Sequence, residues 1–262
     1  MITLEGKGVH SGAVSRVSIS RHDGPVTFLR GGTSIPALAK SVTSTKRTTV
    51  LGSGGARVAM VEHLLAALHL SGWWHGLLIE VSSDELPVMD GSAAPWLTAL
   101  SGLGDPPAAP EPLRTQELIS VDAQTGAGTA SWGPGEDWLE VSIRFDHPQI
   151  GSQNWSGPKE QWGQLADART FGFLSELEQL RSQGLALGAD TGNCLVFDTA
   201  GTVAPARSAD EPVRHKALDL LGDLFLLGIP LAGRLRVACG SHSLHARLVR
   251  EVLERTGLEK AI

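Results

Sequence analysis

The chain has no tyrosine, and its 262 residues include only two cysteines, Cys194 and Cys239. Without tyrosine, no phenol can serve as a catalytic acid or oxyanion donor. Two cysteines far apart in sequence cannot make a disulfide framework and fit a reducing compartment, so a cytoplasmic location is expected. No apolar run reaches the ~20 residues that a membrane-spanning helix needs. The opening MITLEGKGVH has no signal-peptide core. Positive charge is also in short supply. Lys and Arg number 22 against 28 Asp and Glu, with no basic cluster, which argues against a nucleic-acid surface. What remains is ordinary globular composition, 42% hydrophobic and 19% charged.

Proline is concentrated at one place. Residues 104–112 read GDPPAAPEP, which can continue neither a helix nor a central strand. This stretch is expected to link an N-terminal domain, residues 1–106, to a C-terminal one, residues 112–262. In the first half, strand-like runs at Val14–Ile19, Val26–Leu29 and Arg47–Leu51 precede a helix at Val61–Leu70, a buried strand at Leu77–Val81 and a helix starting near Ser92. In the second, Leu139–Phe145 reads as a strand. Helices are expected near Pro158–Asp167 and Leu174–Gln183, and a strand at Cys194–Phe197. A long apolar helix, a strand at Leu235–Ala238 and a helix from Ser241 complete the chain. Strands and helices mix without strict βαβα alternation, so the class is α+β. No internal repeat is visible.

Residues 212–228, PVRHKALDLLGDLFLLG, carry the strongest chemical signal. As a helix they place His215, Asp219 and Asp223 at i, i+4 and i+8 on one face. The rest of the helix is apolar on nearly every side and must be buried. Buried ionised groups are costly unless a partner or a metal compensates them. A divalent metal on His215 and Asp219 is the simplest account, zinc by preference, with Fe2+ also acceptable. The competing reading is a buried His–Asp pair that only holds the fold.

The helix MVEHLLAALHL sets Glu62 beside His63. Neighbours on a helix point about 100° apart, which suits a division of labour: His63 as ligand, Glu62 as general base. The alternative is a polar pair at a helix N-terminus. In GSHSLHARL, Ser241 is a plausible N-cap, and His242 in the first turn needs a carboxylate to stay protonated, for which Asp223 is available. His245 reads as a surface residue. Thr170 in ARTFGF offers a hydroxyl that could equally be a cap, and residues 85–95 read as a structural turn.

These segments taken together resemble the UDP-3-O-acyl-N-acetylglucosamine deacetylase family. The shared stretches are GKGVHSG (6–12), AKSV (39–42), VEHLLAAL (61–68), ELPVMDGSAAPW (85–96), FDHP (145–148), ARTFGF (168–173), GLALG (184–188), VRHKALDLLGDLF (213–225) and the Ser241–His242 turn. The resemblance implies two similar β-α-α-β sandwich domains, each with a small insert, and an active site between them. It implies zinc on His63, His215 and Asp219, with Glu62 as general base. His242 would be the imidazolium that stabilises the oxyanion and protonates the leaving amine, oriented by Asp223. Thr170 would bind the oxyanion. Lys216 would lie near substrate phosphate or carbonyl and His10 near the diphosphate. Phe171 and Phe145 would line the substrate site, and Leu174 and Leu177 the acyl passage within residues 174–196. The implied substrate is an acylated UDP-amino sugar on the route to lipid A, and the implied state a monomer.

The chain departs from the family pattern in places. Basic positions of the family fall at Gly128 and Cys239, and Asp190, Thr191 and Asn193 make the insert more polar than an acyl passage requires. Pro212 stands where an aromatic often precedes the metal helix. The start is shorter by about one strand, and the tail is short. Two further readings stay open: a zinc deacetylase of another N-acetylated sugar, and a metal-bound sugar-binding module without catalysis.

Overall fold

The computed structural model describes residues 1–258. The first half runs β1 (Ile2–Lys7), β2 (Val14–Pro25), β3 (Thr27–Arg30), β4 (Thr33–Pro36), β5 (Val42–Ser44), β6 (Val50–Ser53), β7 (Ala56–Ala59), α1 (Glu62–Ser71), β8 (His75–Val81) and α2 (Ala94–Leu100). The second runs β9 (Ile119–Asp122), β10 (Thr129–Gly133), β11 (Trp138–Arg144), β12 (Ser152–Pro158), β13 (Phe171–Phe173), α3 (Leu177–Ser182), β14 (Leu195–Phe197), α4 (Glu211–Leu224), β15 (Arg234–Ala238) and α5 (His242–Thr256).

The strands follow from alternation. In β11, Leu139, Val141 and Ile143 face inward while Glu140 and Arg144 face solvent, the period of two that a half-buried strand requires. Two five-stranded sheets result, ordered β1-β2-β8-β3-β4 and β12-β11-β15-β10-β9. Their connectivity is the same. In each, the last strand lies between two hairpins, antiparallel to the first (β2 with β8, β10 with β15) and parallel to the second (β3 with β8, β11 with β15). The chain is thus a structural duplication that its sequence does not show. Backbone pairing repeats while side chains have diverged, so no repeat could be read from the letters.

Each half adds an insert immediately before its first long helix: β5-β6-β7 before α1, and β13-α3-β14 before α4. Helices α1 and α4 therefore occupy equivalent places, and they pack on one another. Their crossing is close because α4 has Gly222 there. A Cβ on Gly222 would run into the Glu62 carbonyl. This contact brings Glu62 and His63 up against the polar face of α4. Pro212 falls at the start of α4, where its missing N–H costs no intrahelical bond.

Three expected elements differ. The expected strand over Arg47–Leu51 begins only at Val50. Arg47 has φ 68°, and Thr48 and Thr49 leave the sheet to bind buried carboxylates. Pro158–Asp167 is a 3-10 helix over Lys159–Leu165, its tight turn holding the Trp162 indole N–H to the Gly157 carbonyl. Leu174–Gln183 splits into a 3-10 turn and the short α3, with no buried residue to extend it. Among the described residues, no helix is long and apolar enough to cross a membrane.

Candidate active site

His63 of α1 and His215 and Asp219 of α4 converge, their nearest ligand atoms all within 4.8 Å of one another. Asp219 Oδ1 lies 3.3 Å from His215 Nε2 and 3.8 Å from His63 Nε2, yet it is buried with no hydrogen-bond partner. His215 donates its Nδ1–H to the Ala168 carbonyl at 3.1 Å, which leaves a bare lone pair on the Nε2 that faces Asp219. Burial, with help from His215, pushes the His63 imidazole down to about 3, and burial lowers His215 as well. Burial alone would raise the Asp219 carboxyl, but His215, which is charged at the low pH where this carboxyl would take a proton, and Lys216 and His242 outweigh it, so the group stays ionised. With both imidazoles neutral, the short His–Asp approaches are not ion pairs, and Lys216 Nζ, 2.8 Å from Asp219 Oδ2, is the standing cation. Two buried imidazole nitrogens and an orphaned carboxylate oxygen this close together suit a divalent cation, and the carbonyl behind His215 is the outer-shell support such a ligand needs. The residues fit a metal.

Glu62 is beside this cluster but turned elsewhere. Its Oε1 accepts from the Thr48 hydroxyl at 2.7 Å and its Oε2 from the Thr49 N–H at 3.1 Å. Burial, opposed by His242, pushes its carboxyl up to about 7, a suitable value for a base working near neutral pH. His242, at the start of α5, has Nε2 3.7 Å from Glu62 Oε1 and Nδ1 2.8 Å from Asp223 Oδ2. Burial would lower this imidazole, but Asp223 and Glu62 raise it to about 10, so it is an imidazolium despite its place at a helix N-terminus. Ser241 caps the helix by accepting from the Leu244 N–H.

A cavity of about 680 Å³ opens over these groups. It is lined by Glu62, His63, His215, Asp219, Lys216 and His242 at one end, with Thr170, Phe171, Phe145 and His10 beside them. Leu174, Leu177, Leu180, Val196 and Val203 form an apolar extension. Asp223 does not reach the cavity and touches it only through His242. Lys216 Nζ stands 5.5 Å from the centre of the Phe171 ring. The segment carrying Thr170 is pinned from three sides. Arg169 makes a buried ion pair with Glu211, the Thr170 N–H donates to the Gly91 carbonyl at 2.7 Å, and Ala168 takes the His215 bond.

Several features were not foreseen. Thr48 and Thr49 hold both carboxylates, with the Thr49 hydroxyl 2.6 Å from Asp223 Oδ1. His245 is not on the surface but only 1% exposed, its Nδ1 2.7 Å from Asp223 Oδ2. The residues that make the insert polar are largely engaged within it. Asn193 takes the Asp190 N–H and donates to the Gly188 carbonyl, and Asp190 takes the Gly192 N–H. Neither Gly128 nor Cys239 lines the cavity. A Cβ at Gly128 would stand 2.7 Å from the Cys239 carbonyl, so a lysine does not fit there without backbone movement. The lysine and arginines that do line the cavity are Lys216, Arg47 and Arg181.

Comparison with known proteins gives the chain its family. The family model for UDP-3-O-acyl N-acetylglycosamine deacetylase matches residues 1–254. Curated relatives named UDP-3-O-acyl-N-acetylglucosamine deacetylase include one from Myxococcus xanthus, 38% identical over 96% of this chain and 83% of its own. Another, from Thermosynechococcus vestitus, is 41% identical over 87% of this chain and 80% of its own. A third, from Phenylobacterium zucineum, is 37% identical over 95% and 90%. With all but the last turn of α5, and the whole clustered site, inside the matched span, the chain belongs to the UDP-3-O-acyl N-acetylglycosamine deacetylase family.

Proposed function

We propose that this protein is a zinc-dependent amidohydrolase that removes the acetyl group from UDP-3-O-acyl-N-acetylglucosamine, a step of lipid A biosynthesis. The observation that carries it is the orphaned Asp219 Oδ1 beside the ring nitrogens of two buried histidines, next to a separate buried carboxylate and a separate buried imidazolium. A sugar-binding module has no use for that last pair. His63, His215 and Asp219 would hold the ion. A bound divalent ion supplies Lewis-acid chemistry, making water acidic enough to ionise near neutral pH and polarising an amide carbonyl.

The remaining work belongs to the chain. Glu62 takes the proton of the attacking water on the carboxylate that Thr48 and Thr49 hold in place. Thr170 Oγ1 and His242 Nε2 stabilise charge developing on the carbonyl oxygen. As the C–N bond breaks, His242 Nε2–H protonates the departing sugar amine and acetate leaves. Asp223 keeps the His242 imidazole charged and oriented. Arg47, Arg181 and Lys216 give the cavity cations suited to a diphosphate, with the His10 imidazole, lowered by burial, beside them as a neutral hydrogen-bonding group, and Leu174, Leu177 and Leu180 give the acyl chain its wall. We read residues 1–106 and 112–262 as the two domains, the first contributing His10, Arg47, Thr48, Thr49, Glu62 and His63, the second the rest of the site.

The runner-up substrate, another N-acetylated sugar, is separated by comparing acetate release from UDP-N-acetylglucosamine with and without the 3-O-acyl chain. Each buried methylene contributes about 0.8 kcal/mol, so losing the chain should lower kcat/KM by at least ~10²-fold. Equal rates on the two would remove the acyl chain from the substrate.

A further inference from the structure

We infer that His245 is a positioning residue for the reaction proposed above: its Nδ1–H holds the Asp223 carboxylate in register with His242. The inference rests on that function and adds a residue to it. His242 and His245 lie at i and i+3 on α5, both turned toward α4. They donate to the same oxygen, Asp223 Oδ2, at 2.8 Å and 2.7 Å. The other oxygen takes the Thr49 hydroxyl at 2.6 Å. The carboxylate is thus gripped from α5 and from the turn before β6.

The tautomer of His245 follows from its partners. Nδ1 must carry a proton to approach a carboxylate that closely. Nε2 is buried with no partner, and a proton there would be an N–H without an acceptor, a penalty of about 1–3 kcal/mol. The ring also has no room to retreat. Gly240 lies behind it, and a Cβ at that position would stand 2.7 Å from His245 Nε2. The imidazole therefore faces neither substrate nor solvent, and its one polar contact is Asp223. With only His242 and Thr49 as donors, the Asp223 carboxylate could rotate and take the His242 ring with it. His242 Nε2 must meet a departing nitrogen, and a misplacement of ~1 Å at a reacting centre can cost about 10²-fold. A third donor removes that freedom.

The test uses the full-length, metal-loaded protein. His245→Phe keeps a flat ring and removes the donor, whereas His245→Asn keeps a donor. The Phe variant should lose roughly 10- to 100-fold in kcat with KM changed by less than about twofold, as expected of an alignment effect confined to the chemical step. The Asn variant should recover to within about fivefold of the parent. In an Asp223→Asn background, His245→Phe should cost less than about twofold, because residues acting through one carboxylate are not additive. Equal losses in the Phe and Asn variants, or an undiminished loss in the Asp223→Asn background, would overturn the inference. Ring nitrogen NMR near neutral pH gives a readout without turnover. His245 should carry its proton on Nδ1 with Nε2 bare, and removing the ring should shift the His242 ring signals. A proton on Nε2 would refute the assignment even if the parent released no acetate, which would itself count against the proposed function alone. If the Phe variant does not fold, the Asn variant and the ring spectrum decide.

Discussion

Glu62→Ala should keep the fold and the metal yet lower kcat by roughly 10²–10⁴-fold, the usual contribution of a general base. Glu62 is buried and outside the ligand cluster, so its loss leaves His63, His215 and Asp219 in place. Thr48 and Thr49 would lose their acceptor, at a stability cost of about 1–3 kcal/mol. Part of that is offset, because Glu62 is a buried carboxylate close to Asp219 and Asp223. The pH profile adds a second readout. Glu62 must be ionised to accept a proton, and burial places its carboxyl at about 7, so the rate should fall as pH drops through that value. In the alanine variant this acid limb should vanish. Unchanged turnover, with the limb intact, would give the water's proton to another group.

His63→Ala or Asp219→Ala should lower metal affinity by at least roughly 10²-fold, since losing even an outer-shell partner commonly costs 10- to 100-fold. The parent protein should carry about one zinc per chain, lose activity to a chelator and regain it with zinc. The alternative, that the cluster only holds the fold, makes a different prediction. It requires the variants to lose stability whether or not metal is present, and it leaves the parent indifferent to chelation. Zinc retained at one equivalent in a variant lacking both His63 and Asp219 would contradict the ligand assignment.

Much of this site could be read from local spacing. His215 and Asp219 are one helical turn apart in a helix too apolar to be exposed, so a buried polar face with a need for compensation was visible in α4. Glu62 and His63, being adjacent, had to point in different directions, and they do: one toward Thr48 and Thr49, the other toward Asp219. What stayed hidden depended on contacts between distant segments. His245 looked like a surface residue because its partner, Asp223, lies on another helix. Thr48 and Thr49 read as part of a strand, whereas their role is to leave the sheet and bind the two carboxylates. Gly222 reads as a weak point in a helix until α1 is seen pressed against it. The duplication was invisible for a related reason: the connectivity of a sheet is carried by backbone pairing, which leaves side chains free to differ.

The substrate proposed here has two bonds a hydrolase could cut, the acetamide and the 3-O-acyl ester, and the central claim is that only the first is cleaved. Incubating the zinc-loaded protein with UDP-3-O-acyl-N-acetylglucosamine in ¹⁸O-labelled water and weighing the products tests this directly. The account predicts acetate carrying one solvent oxygen, together with an equal amount of a free amino sugar that keeps its acyl chain. Labelled fatty acid with the acetamide intact, or no product at all, would contradict it.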